Sequence, residues 1–199
     1  MKNIENIEKI LINVDMVNGF VNVGPMHDEY INHIVPLQIN MMSEYEKNDT
    51  YLNVIIKDTH KPNCREFERY PVHCVENTEE SELIPELQRF ENAHTANNNE
   101  NNSIVFTKNS TSTIYAEGFL SLIDSLVNLK EVTIVGCCTD ICILNLAIPL
   151  QNYFDQKDRY IKITIPKDGV ETYDAPGHSR DEYNEIAFKL MKQAGIIIE

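Results

Sequence analysis

No apolar run in this chain approaches the roughly 20 residues that a membrane-spanning helix needs, so a membrane partner is not expected. Basic residues are scarce as well. Seventeen Lys and Arg stand against 31 Asp and Glu, giving a formal net charge of −14. Nucleic acid and anionic membrane surfaces both call for clustered Lys and Arg, and neither fits this balance. The first residues, Met-Lys-Asn-Ile-Glu-Asn-Ile-Glu-Lys, are too charged for a secretory signal, and a cytoplasmic location is expected. An even set of spaced cysteines is missing too. There are five, and Cys137, Cys138 and Cys142 are bunched, so a disulfide framework is not expected. No pair has the Cys-x-x-Cys spacing of a structural zinc site. Cys64, Cys74, Cys137 and Cys138 read as small buried apolar residues. Internal repeats and a second domain are also absent, so residues 1–199 read as one domain, long enough for a full hydrophobic core.

What is present is alternation. Five apolar, β-branched runs, at residues 10–14, 53–56, 104–106, 132–135 and 161–165, are separated by stretches with helical periodicity. The runs are apolar almost throughout, as in strands buried on both faces of a parallel sheet. Helices are expected over residues 28–46, 116–129, 140–154 and 181–193. Pro36 should break the first, Pro149 should bend the third, and Gly195 should cap the fourth. The third is apolar on most faces and should be central. Residues 91–103 are polar and Asn-rich and read as a surface loop. The pattern predicts a single doubly wound α/β domain, with a mostly parallel central sheet of about six strands and helices on both faces.

Chemistry-bearing residues stand where the apolar runs end. Asp15, Asp58 and Lys108 follow three of them, and ligands in open α/β sheets bind at the carboxyl ends of strands. After the fourth run come Gly136, Thr139 and Asp140, and then a helical pattern. With Thr139 as N-cap, Cys142 would occupy the third helical position, near the positive end of the helix dipole. That setting lowers a thiol pKa and makes a nucleophile. A second cluster, Asp58-Thr59-His60 with His73 thirteen residues on, places two ligands on one face of an extended segment. A third from a following loop would give a metal site with open positions.

These motifs resemble the isochorismatase-like cysteine hydrolases, and most closely the nicotinamidases among them. The similarity runs from about Ile10 to Ile165. It rests on Asp15-Met-Val-Asn18-Gly-Phe20, Asp58-Thr-His60, Tyr70-Pro-Val-His73-Cys74, the strand-ending Lys108, and Gly136-Cys-Cys-Thr139-Asp140-Ile-Cys142. The resemblance implies a Cys142-Asp15-Lys108 triad, with Asp15 as general base and Lys108 holding the thiolate. It further implies a cis peptide at Cys137–Cys138, which makes an oxyanion hole from the backbone N–H groups of Cys138 and Cys142. A divalent metal, zinc first and iron or manganese next, would be held by Asp58, His60 and His73 and would bind a pyridine nitrogen. Phe20 and Tyr70 would flank the ring of a small-molecule amide. A homo-oligomer, dimer or tetramer, is expected from the same resemblance.

The chain departs from the nicotinamidase pattern at Val17, Gly19, Cys64, Tyr70 and Asn109, positions of the pocket wall. The reaction expected is therefore hydrolysis of a small heteroaromatic amide to acid and ammonia through a thioester on Cys142. The alternative is an isochorismatase-type hydrolase, or a carbamoyl or ureido amidase, of the same superfamily. A non-enzymatic binding protein on this fold is disfavoured by the intact set of Asp15, Lys108 and Cys142.

Overall fold

The five apolar runs become five strands: β1 (Lys9–Val14), β2 (Tyr51–Asp58), β3 (Ser103–Lys108), β4 (Glu131–Cys137) and β5 (Lys162–Ile165). Two further strands, β6 (Val170–Glu171) and β7 (Ile197–Ile198), are too short to carry a periodic signal. The computed structural model describes residues 2–91 and 103–199. All pairings between these strands are parallel, in the order β3-β2-β1-β4-β5-β7, with β6 beside the end of β4.

Strand periodicity sorts the core into two layers. Ile10, Ile12 and Val14 of β1 face one layer. It is closed by α4 (Phe119–Ser125), α5 (Leu144–Gln156) and α6 (Arg180–Gln193), through Phe119, Leu150, Phe154 and Met191. Leu11 faces the other layer. There α1 (Asn18–Val21), α2 (Val35–Lys47) and α3 (Gln88–Glu91) supply Phe20, Met42, Tyr45 and Phe90. Helices thus cover both faces, as the apolar runs require. Among the described residues, no helix is long and apolar enough to cross a membrane.

The helices differ from expectation mostly at their starts. The stretch 28–46 divides into a 3-10 turn, Glu29–Ile34, and α2, where Pro36 stands in the first turn and its missing N–H costs nothing. The stretch 116–129 shrinks to α4, preceded by Gly118 in the left-handed region. The stretch 140–154 opens as a π turn, Thr139–Ile143, before α5 begins at Leu144, and Pro149 lies inside that helix. Only Leu146, Ala147, Leu150 and Phe154 of α5 are buried, so it presents one stripe to the core rather than sitting centrally. Gly195 follows the α6 cap at φ 90, as a left-handed C-terminal residue should. Of the expected 91–103 loop, Glu91 ends α3 and Ser103 begins β3. The rest lies outside the described residues.

The strand order reverses direction between β1 and β4. Their carboxyl ends, Asp15 and Cys137, therefore flank a topological switch point, where an open sheet forms a crevice. Gly136 makes the close approach possible. At φ 120, a Cβ there would lie 2.0 Å from the Val14 carbonyl oxygen.

Candidate active site and metal centre

Parallel register brings the strand-end residues together. Asp58 and Lys108 are direct partners at the ends of β2 and β3. Asp15, one residue beyond β1, has φ 55, a left-handed conformation uncommon for a residue other than glycine. The Lys108 Nζ lies 2.9 Å from Asp15 Oδ2 and 2.7 Å from Asp58 Oδ1, and donates to Cys142 Sγ at 3.7 Å. All four side chains are buried. One ammonium thus serves two carboxylates and a thiol.

Burial shapes their acidity. It pushes the Asp15 carboxyl up to about 6, against the pull of the Lys108 ammonium. Burial would raise Asp58 as well, but Lys108 and the two histidines outweigh it and hold this carboxyl below its usual range. Lys108 resists the desolvation that would neutralise it, because Asp15 and Asp58 keep it charged well above its usual value. The Cys142 thiol departs from the sequence reading. Thr139 does not cap an α-helix. It begins the π turn, capped by Cys138, and its hydroxyl is buried without a hydrogen-bond partner among the described residues. Cys142 lies within that turn, and burial drives its thiol well above the usual value even with Lys108 beside it. Burial thus favours the thiol over the thiolate. Ionisation therefore needs a proton acceptor at hand, and Asp15 is the neighbouring carboxylate. The Lys108–Asp15 contact is an ion pair without a well-aligned hydrogen bond, so the Asp15 oxygens keep accepting capacity.

The peptide Cys137–Cys138 is cis. Cys137 is fully buried, its Sγ 3.2 Å from the Asp15 carbonyl oxygen, whereas Cys138 lines the pocket. All five cysteines are free and buried, as their apolar reading implies for four of them.

Beside this cluster, Asp58, His60 and His73 converge, with one ligand atom from each within 4.8 Å of the others. His60 Nε2 is 2.9 Å and His73 Nε2 3.3 Å from Asp58 Oδ2, and the two Nε2 atoms are 3.2 Å apart. His73 Nδ1 donates to the Pro71 carbonyl at 2.7 Å, and His60 Nδ1 faces Asn109 Oδ1 at 3.4 Å. Outer acceptors on both Nδ1 atoms leave both Nε2 atoms free as lone-pair donors, the arrangement a divalent cation requires. Two imidazoles and one carboxylate suit zinc, iron or manganese.

The pocket is lined by Phe20, Met26, Asp58, Glu66, Tyr70, His73, Thr111, Cys138, Ile141 and Cys142. Phe20 and Tyr70 stand on the His73 side, with ring centroids 5.5 and 6.4 Å from the imidazole. Glu66 has no counterpart in the sequence reading. Its Oε1 lies 4.0 Å from His60 Nε2, and its Oε2 accepts the Thr111 N–H at 3.1 Å. The departures from the family pattern help place it. Cys64 Sγ accepts the Glu66 N–H and caps the 3-10 turn Arg65–Glu68, while Asn109 orients His60 and the Lys61 N–H. Gly19 is explained as well, since a Cβ there would meet Cys74 Sγ at 2.5 Å. The signal for Glu66 was an acidic residue eight positions past Asp58, indistinguishable in sequence from Glu68.

A family model described as the isochorismatase domain matches residues 9–198. Nicotinamidase 1 of Arabidopsis thaliana is 28% identical over 177 residues, covering 84% of this chain and 71% of that protein. The solved structure of a pyrazinamidase/nicotinamidase from Streptococcus mutans UA159 superposes with a TM-score of 0.77 at 20% identity, over 96% of this chain and 100% of that one. A pyrazinamidase of Pyrococcus horikoshii, solved in complex with zinc, gives 0.72 at 22% identity, over 96% and 98%. At these identities the two structures speak for the fold.

Proposed function

Because the chain belongs to the isochorismatase family, we propose that it is a metal-dependent cysteine amidohydrolase of the nicotinamidase kind. Its reaction converts a small heteroaromatic amide to the acid and ammonia. The observation that carries this reading is the Lys108 bridge, which holds a nucleophile–base pair and a set of metal donors against one pocket.

The steps belong to the chain's own residues. Asp15 takes the Cys142 proton as Sγ attacks the amide carbonyl carbon. Lys108, already charged, stabilises the sulfur as it ionises. The backbone N–H groups of Cys138 and Cys142 receive the developing oxyanion. Asp15 returns the proton to the amide nitrogen, the C–N bond breaks and ammonia leaves. Asp15 then takes a proton from water as its oxygen attacks the thioester, the C–S bond breaks, and Cys142 regains its proton. A cation held by Asp58, His60 and His73 would bind the ring nitrogen and fix the substrate's orientation. Phe20 and Tyr70 bracket the ring and exclude water.

The alternative within the family is a carbamoyl, ureido or isochorismatase-type substrate, and the pocket bears on those that are anionic. The pocket wall presents Asp58 and Glu66 and neither arginine nor lysine, while Lys108 is engaged by two carboxylates. An anionic substrate would meet no cationic side chain on the wall, and the one charge to match it would be that of a cation at Asp58, His60 and His73, so a neutral amide is favoured.

The test is ammonia release from nicotinamide and from an N-carbamoyl amino acid, with Cys142→Ala alongside and metal content measured on the purified protein. Turnover of nicotinamide by metal-loaded protein and none by Cys142→Ala is the expected result. Activity surviving that substitution sinks the mechanism. Preference for the anionic substrate, or protein active without a stoichiometric metal, favours the alternative.

A further inference from the structure

A cluster on the outer side of the nucleophile turn is not used by the steps above. Asp140 lies two residues before Cys142 in the π turn. Its Oδ1 accepts the Thr172 hydroxyl at 2.5 Å and its Oδ2 faces His178 Nε2 at 2.9 Å. His178 Nδ1 faces the Tyr173 carbonyl at 3.1 Å. Both ring nitrogens thus face oxygen atoms, which fixes the orientation of the ring. The imidazole is clamped between two phenol rings. Tyr173 stacks at 3.9 Å and 5°, Tyr183 at 3.8 Å and 28°. The segment carrying it is pinned in turn. Arg180 donates through Nε to the Thr172 carbonyl at 3.0 Å, pairs with Asp28, and lies over the Tyr30 ring at 4.2 Å.

From this geometry we propose that His178 is a positioning residue for Cys142, acting through Asp140. The inference rests on Cys142 being the nucleophile. A π turn closes its hydrogen bonds over one residue more than an α-helix and is rare outside single turns of this kind. Here its outward carboxylate is held at both oxygens by groups from the segment between β6 and α6, which fixes the rotation of the turn. That rotation sets where Sγ stands relative to Lys108 and Asp15. A misplacement of about 1 Å at such a site costs on the order of a hundredfold in rate.

Two substitutions separate hydrogen bonding from packing. His178→Phe keeps the stack between Tyr173 and Tyr183 and removes both polar contacts. His178→Gln loses the stack and keeps a donor toward Asp140. Two readouts apply to each: kcat and KM with nicotinamide, and the rate of Cys142 alkylation by iodoacetamide, with melting temperature as a check on folding. The expected pattern is a kcat about tenfold lower for His178→Phe with KM within about twofold, and faster alkylation as the buried thiol loosens. His178→Gln should stay near wild type in both. Wild-type behaviour of His178→Phe, or equal or greater impairment of His178→Gln, overturns the proposal. If wild-type protein leaves nicotinamide intact, the substrate reading fails, and the alkylation comparison still decides the role of His178.

Discussion

Lys108 and Asp58 meet at 2.7 Å, and that ion pair joins the nucleophile cluster to the metal donors. The ammonium is buried between two carboxylates, so each half of the site depends on the charge of the other. Lys108→Met leaves Asp15 and Asp58 facing one another without a cation. Loss of one partner from a buried pair costs about 3–5 kcal/mol. The variant should unfold at markedly lower denaturant concentration and release no ammonia. A denaturation midpoint equal to wild type would show that the pair contributes nothing.

The pH profile follows from Asp15. Burial raises this carboxyl from 3.8 to about 6, so between those values the folded protein keeps a proton that the unfolded chain has lost. Its contribution to stability therefore falls as pH climbs from about 4 through 6. In the proposed mechanism catalysis runs the other way, because Asp15 must be ionised to take the thiol proton. The kcat/KM profile should rise through about pH 6, and Asp15→Asn should be inactive across the range. A profile flat from pH 5 to 8 would remove Asp15 from the role of base.

Metal affinity should weaken on acidification. Burial works against a charged imidazole at His60, but Asp58 outweighs it and raises the pKa, so protons compete with the cation for the Nε2 lone pair. Titrating zinc into metal-free protein at two pH values, with proton release followed, checks the competition. Glu66→Gln should weaken zinc binding by about ten- to a hundredfold while leaving the fold intact, since its carboxylate stands 4.0 Å from the same nitrogen. Unchanged zinc affinity would confine Glu66 to holding the Thr111 backbone.

Gly136→Ala should be among the most destabilising single substitutions in the chain. Its Cβ would meet the Val14 carbonyl oxygen at 2.0 Å, backbone that cannot rotate away, and the left-handed φ adds its own cost. A loss above about 3 kcal/mol is expected, measured by urea denaturation. A loss below about 1 kcal/mol would mean that β1 and β4 separate easily.

Strands were legible because their signal is local. Each of the five apolar runs records burial on both faces, and nothing more is needed to place Asp15, Asp58 and Lys108 at their ends. Asp58, His60 and His73 were legible for a related reason, as motif residues whose spacing brings them onto one wall. The state of Cys142 was not. Its ionisation depends on burial and on the turn around it, and the expected capping by Thr139 gave way to a π turn capped by Cys138. Glu66 and His178 were missed because what distinguishes them is a partner far along the chain, Thr111 for one and Asp140 for the other. The two-residue strands β6 and β7 exist only as additions to a sheet already formed.

The spread of the site along the chain sets an order in time. A ribosome delivers Asp15, Asp58, His60, His73 and Lys108 before it reaches Cys142, and β1, β2 and β3 pair with one another without β4. The thiol is thus the last of these groups to be made, and the cluster of Cys142, Lys108 and Asp15 closes only when β4 docks against β1.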